Sequence, residues 1–178
     1  MNDIMLDLET MGTSPSAAIV AVGAVGFDLK TGELGAVFYH VVDLASSMGE
    51  GGVVDAPTVL WWLKQSDDAR RALTNADEVL PIEEVLMGFD DYIQTFTDGT
   101  DKVRIWGNGA SFDNVILGTA YARLHMQQPW MFRNNRCYRT VKNLFPDIKF
   151  EPSVVAHNAL DDATAQATHL IRMIGGKS

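Results

Sequence analysis

Hydrophobic and polar positions divide the chain into a strand-like first half and a helical second half. Ile4 to Leu8 is a short apolar run interrupted by Asp7. Ala17 to Phe27 is a longer run of small and β-branched residues, as expected of a central strand buried on both faces. Lys30-Thr31-Gly32-Glu33 supplies turn chemistry and Leu34 to Val42 resumes the pattern, which predicts a hairpin. Residues 43–56, with Gly49, Gly51 and Gly52, read as a flexible loop. Pro57 opens a helix over Thr58 to Gln65, and Pro81 opens another that runs to about Phe96. Val103 to Trp106 is a short strand broken by Gly107-Asn108-Gly109, and Phe112 to Leu124 has helical spacing. Residues 126–153 are irregular, punctuated by prolines, with one short helix near Val141. Asn158 to Ile174 is the last helix, striped by Leu160, Ala163, Ala167, Leu170, Ile171 and Ile174. The expected architecture is α/β: a mixed central sheet of about five strands, the first three antiparallel, flanked by helices in a single domain over residues 1–178.

Composition narrows the class. With 47% hydrophobic residues and no apolar run near the roughly 20 residues a bilayer span requires, the chain reads as a soluble protein without membrane partners. The start, MNDIMLDLET, lacks a basic leader region, and the lone Cys137 fits a reducing cytoplasm as a structural thiol. A net charge of −9 argues against a polyanionic partner until its distribution is considered. All 23 acidic residues lie outside the stretch from Asn114 to Pro146, which contains Arg123, Arg133, Arg136, Arg139 and Lys142. A local basic stretch of this kind can guide a polyanion toward one cleft.

Four features carry chemistry. Asp7 and Glu9, two apart on a strand, point to one face of a sheet, and a buried carboxylate needs neutralising. Hard divalent cations prefer such oxygen ligands. Asp113 follows a strand end and a glycine-rich break, a place where sites assemble in open α/β sheets, although an acid there also complements a helix dipole. His157-Asn158-Ala159-Leu160-Asp161-Asp162 opens the last helix, where the dipole favours a neutral imidazole suited to general-base work. Asp161 and Asp162 lie on opposite sides of the apolar stripe, so periodicity does not choose between them. Thr10-Met11-Gly12 is a turn that places backbone N–H groups beside the acidic pair. Converging carboxylates repel one another, so bringing these features to one sheet edge calls for cations. His40, His125 and His169 have no acidic or Cys partners at ligand spacing, and of Trp61 and Trp62 at least one belongs to the core or a subunit contact while either can stack a base.

The three motifs together resemble the DEDDh branch of the DEDD exonucleases. DLETMG is similar to that family's first motif, Asn108 through Asp113 to its second, and HNALDD to its H-x4-D ending. Met11 stands where many relatives carry a second Thr. The resemblance implies a ribonuclease H-like fold and a 3′→5′ exonuclease, nearest the small phage and bacterial exonuclease VIII-like proteins and mycobacterial exoribonucleases. It implies Asp7, Glu9, Asp113 and Asp162 as ligands of two divalent cations, Mg²⁺ or Mn²⁺, with His157 as general base. It places the substrate's 3′ end against Thr10, Met11 and Gly12, and Asn108 and Arg139 are expected to contact substrate, with Arg123 and Arg136 as further phosphate contacts. Single-stranded nucleic acid or short 3′ ends, DNA or RNA, are the expected substrates, and a homodimer is in keeping with relatives. A ribonuclease H-like endonuclease or resolvase, and a catalytically silent nucleic-acid-binding module, are the competing readings.

Overall fold

Three strands lead the chain: β1 (Asp3–Thr10), β2 (Ile19–Phe27) and β3 (Leu34–Val42). Short helices α1 (Leu44–Gly49), α2 (Ala56–Trp62) and α3 (Asp67–Thr74) follow, then β4 (Val79–Leu80) and α4 (Ile82–Phe96). The remainder is β5 (Arg104–Gly107), α5 (Asp113–Arg123), a single turn of 3₁₀ helix, β6 (Asn135–Cys137), α6 (Tyr138–Leu144) and α7 (Ala159–Ile174). The computed structural model describes residues 1–74, 78–96, 99, 102–152 and 157–176, with Phe96 described by its backbone alone.

The strands form one mixed sheet in the order β4-β3-β2-β1-β5-β6. The pairs β1–β2 and β2–β3 are antiparallel, whereas β4, β5 and β6 each join in parallel. Six strands replace the expected five or so because β4 and β6 are two and three residues long, too short to leave a periodicity. Alternation along β1 sets the layers. Ile4, Leu6 and Leu8 face a core shared with Val85, Leu86 and Phe89 of α4 and Ile116 and Leu117 of α5. Met5 faces the opposite layer, with Ala163, Ala167, Leu170 and Met173 of α7. Asp7 and Glu9 share the parity of Met5 and therefore stand on the α7 side.

Two stretches differ from expectation. Residues 43–56 are not all loop: Asp43 accepts hydrogen bonds from the N–H groups of Ala45 and Ser46 (3.4 and 2.9 Å) and so caps α1, with the glycines following it. Likewise α2 starts and ends earlier than predicted, because Asp55 caps it by accepting from Thr58 N at 2.8 Å. Within 126–153, the expected short helix is α6, and β6 precedes it directly. Among the described residues no helix is long and apolar enough to cross a membrane.

An ion pair built on a buried carboxylate fixes β5 beside β1. The Asp3 carboxylate, 2% exposed, accepts from Arg104 Nε at 2.7 Å and Trp106 Nε1 at 2.8 Å. Removing Asp3 leaves the buried Trp106 N–H and the half-exposed Arg104 guanidinium unmatched, which outweighs the modest net value of the intact pair. Asp3→Ala is expected to lower stability by about 2–3 kcal/mol in urea unfolding, and Asp3→Asn, which retains an acceptor for Trp106, by less. Equal losses for the two variants would mean that the Trp106 bond contributes nothing.

Candidate active site

Bare backbone is the starting point of the site. Asp7 on β1 pairs with Gly23 on β2. A methyl group on Gly23 would lie 2.2 Å from the carbonyl carbon of Ala159 and 2.3 Å from Leu160 N, so the first turn of α7 rests directly on β2. That turn is capped by Asn158, whose Oδ1 accepts from Leu160 N and Asp161 N, both at 3.1 Å. It carries His157 and Asp162 up to the end of β1. His157 takes a left-handed backbone (φ 65°), and its N–H donates to Asp162 Oδ2 at 3.0 Å. The two ends of the H-x4-D motif thus fix one another.

A cleft of about 260 Å³ opens here, with Asp7, Glu9, Asn108, His157, Asp162 and Gln166 around it and Tyr138, Lys142 and Phe150 on its far wall. Glu9, His157 and Asp162 each offer a ligand atom within 4.8 Å of the others. Asp161 lies on the other side of α7, in a separate hollow with Glu151 and Arg172. The geometry therefore separates the two aspartates that periodicity left equivalent. Asp113, 3% exposed in the first turn of α5, stands behind the cleft lining. Its Oδ1 accepts from Leu8 N (3.3 Å) and its Oδ2 from Asn108 N (3.0 Å). Gly107 makes room for it, since a Cβ there would come within 3.0 Å of Asp113 Oδ2.

Gln166 was absent from the sequence reading. It is 4% exposed, and its Nε2 donates to Asp7 Oδ1 at 2.8 Å. It follows Asp162 by four residues and so shares its side of α7, which is the signal that a search for polar residues beside the apolar stripe would have used. The bond fixes one oxygen of Asp7, whose side chain lines the cleft.

The surrounding residues divide unevenly. Thr10 Oγ1 donates to Gly12 O (2.8 Å), and Met11 N–H donates to Ala18 O (2.9 Å), so the Met11 amide is engaged within the protein rather than left for a ligand. Gly12 borders a second, more apolar pocket of about 450 Å³, with Leu8, Glu9, Thr10, Pro57, Trp61, Trp62 and Phe112. Glu9 is common to both hollows. Trp62 is buried, and its Nε1 donates to Thr10 O at 2.9 Å; Trp61 is 42% exposed, with its ring edge-to-face on His157 at 4.9 Å. Arg139 reaches Asn108, donating to its backbone oxygen at 2.6 Å. Arg123 instead donates to Ser16 O (3.0 Å) and packs against Gly51, and Arg136 binds the carbonyls of Arg133 and Asn135. His169 is structural, held between Tyr138 OH (2.7 Å) and Ile148 O (2.8 Å).

Electrostatics make this an incomplete arrangement without added positive charge. Burial, then Asp113 and Glu9, push the Asp7 carboxyl well above its ordinary range. Burial, Asp162 and Asp113 raise Glu9 to about 8, and burial raises Asp113 to about 6. Among the described residues neither Asp7 nor Glu9 forms an ion pair with Lys or Arg. Oxygen donors that hold protons for want of a cation are the donor set a hard divalent ion fits.

Nearly all of the chain matches a known family. Residues 2–174 match the family model described as the 3′-5′ exoribonuclease Rv2179c-like domain. An exodeoxyribonuclease of Enterobacteria phage T4 is 31% identical over 125 residues, which are 66% of this chain and 54% of that protein. The chain thus spans about half the length of this relative. Among solved structures, the nuclease domain of 3′hExo, a DEDDh family member bound to rAMP, superposes with a TM-score of 0.64 at 13% identity, covering 96% of this chain and 90% of that one. E. coli exonuclease I in complex with a dA16 oligonucleotide gives 0.61 at 15% identity, covering 97% and 41%. At these identities the two structures establish the fold, which is the expected ribonuclease H-like one.

Two outcomes test the site. Gly23→Ala is expected to cost at least about 2 kcal/mol, because the methyl group meets backbone that has no rotamer to yield; wild-type stability would mean that α7 sits farther from β2. The second is pH-dependent. Carboxyls whose folded pKa is raised stabilise the cation-free protein below their ordinary values, and that contribution is lost as pH rises through about 8 for Glu9. The melting temperature in EDTA should therefore fall from pH 6 to pH 8, and Mn²⁺ should raise it more at pH 8, where fewer protons must be displaced. An equal Mn²⁺ effect at both values would exclude this account.

Proposed function

Since the chain belongs to the Rv2179c-like 3′-5′ exoribonuclease domain family, we propose that it is a metal-dependent 3′→5′ exonuclease, a single catalytic domain that removes nucleotides from the 3′ end of single-stranded nucleic acid. The observation that carries this reading is the meeting of Asp7, Glu9, Asp162 and His157 at one cleft, with Asp113 directly behind it. Asp7, Glu9, Asp113 and Asp162 are the donors that would hold two divalent cations, Mg²⁺ or Mn²⁺, which when bound stabilise charge on phosphoryl oxygens and acidify water. His157 takes the proton of the attacking water, and the edges of Trp61 and Trp62 limit where its ring can lie. The apolar pocket beside Glu9 suits the terminal base and sugar, with Thr10, Met11 and Gly12 along one side. Asn108 and Arg139 flank the cleft, where an anionic strand approaches. A cytoplasmic location and a homodimer belong to the same proposal, from the lone Cys137 and from the family resemblance.

The family description names RNA and the phage relative's name DNA, so both sugars belong in the test. Labelled at the 5′ end, single-stranded DNA and RNA should each be assayed with Mg²⁺, Mn²⁺ and EDTA. The expected result is a ladder shortening from the 3′ end, dependent on metal. His157→Ala should slow it about 10²–10⁴-fold while keeping the Mn²⁺-induced thermal shift. Cleavage of a circular single strand would replace this reading with an endonuclease.

A further inference from the structure

The segment from Tyr138 to Phe150 carries Arg139, Lys142 and Lys149 against one acid, Asp147, on a protein whose net charge is −9. It lines a groove of about 380 Å³ formed by Lys142, Asn143, Phe145, Ile148, Lys149 and Phe150. Lys142 and Phe150 also form the far wall of the acidic cleft, so the two hollows share an edge. Phe150 is rigidly backed: its ring packs at 5.5 Å on His169, which is itself tied to Tyr138 OH and Ile148 O. Lys142 Nζ lies over that ring, 4.9 Å from its centre, in a cation–π contact that a stacking base would displace toward the strand's phosphates. Nearby Glu151 is engaged by Arg172 at 2.6 Å, and among the described residues Lys142 and Lys149 form no ion pair.

An aromatic ring on a fixed mount, beside cations that form no ion pair and continuous with a phosphodiester site, is the combination that holds unpaired nucleotides without reading their sequence. We propose that this groove is a second binding site, which takes the nucleotides upstream of the scissile bond: an unpaired base on Phe150 and backbone phosphates at Lys142 and Lys149. The site rests on the exonuclease reading for its orientation and extends it, since it makes the enzyme sensitive to strand length. A strand enters along α6, passes Phe150 and places its 3′ end between the carboxylates and the apolar pocket. Cations outnumber acids in this segment, whereas the rest of the chain carries 22 acids against 11 bases, so the remaining surface on balance repels the polymer.

Three proteins decide it: wild type, Phe150→Leu, which keeps an apolar side chain against His169, and Lys149→Ala, which alters an exposed residue. Each is titrated with 5′-fluorescent single strands of 2 and 8 nucleotides, DNA and RNA, in Ca²⁺, and assayed in Mn²⁺ on the p-nitrophenyl ester of thymidine 5′-monophosphate. The expected result is that wild type binds the 8-mer more tightly than the 2-mer. Phe150→Leu should weaken 8-mer binding roughly tenfold. Lys149→Ala should reduce the slope of log affinity against log salt by about 0.7. Ester turnover, which needs no upstream nucleotide, should be unchanged in Lys149→Ala, which lies outside the acidic cleft. Unaltered 8-mer affinity and salt slope in the two variants would overturn the groove. Absence of ester and strand hydrolysis in wild type, with the binding differences intact, would overturn the exonuclease reading and leave the groove standing. Weakening confined to RNA or to DNA would identify the sugar that the groove favours.

Discussion

Contact between the first turn of α7 and the bare backbone of Gly23 brings the two ends of the chain's chemistry within reach of each other. Asp7 and Glu9 come from β1, whereas His157, Asp162 and Gln166 come from the beginning of α7. Any side chain at position 23 would lift the helix off the sheet beside Asp7 and break the Gln166 bond, whose 2.8 Å length tolerates little displacement. Gly107 does the same for Asp113 at the neighbouring strand end. The sheet therefore receives the site at two places where it lacks side chains, and the apolar layers on both faces keep those places from shifting.

That arrangement accumulates charge where solvent is scarce. Four carboxylates approach one another with burial as the leading cause of the raised values at Asp7, Glu9 and Asp113. Stability and function oppose each other here: a fold optimised for stability would neutralise these groups with Lys or Arg, as it does for Asp3 with Arg104. The contrast between the two carboxylate environments on β1, only four residues apart, separates a structural acid from ones that await a cation. The stability withheld at Asp7 and Glu9 is what a divalent ion can supply.

Much of this was legible in the residues. Alternation in β1 put Asp7 and Glu9 on one face, the small and β-branched run of β2 marked the buried centre, and the three motifs named the residues that meet at the cleft. What escaped had physical reasons. Strands of two or three residues carry no period, so β4 and β6 were invisible. Helix α1 depends on the Asp43 cap, and its glycine-rich end masked it; α3 begins after Ser66, whose Oγ accepts from Ala69 N, a start signal overlooked among polar neighbours. Choosing Asp162 over Asp161 required the helix's rotation, which is set by packing on Gly23 rather than by the stripe. Arg123 looked like a phosphate contact only because sequence does not show that Ser16 O holds it.

The long sequence separation within the Gln166–Asp7 bond, 159 residues, has a consequence for the protein's synthesis. A ribosome releases β1 early and α7 late, so a nascent chain holds its first acidic pair in water while the other half of the cleft is still unmade. Only when α7 docks are the carboxylates gathered and dried. An incomplete polypeptide therefore lacks the Gln166–Asp7 bond, and the cleft closes around its acidic pair only once α7 has packed on β2.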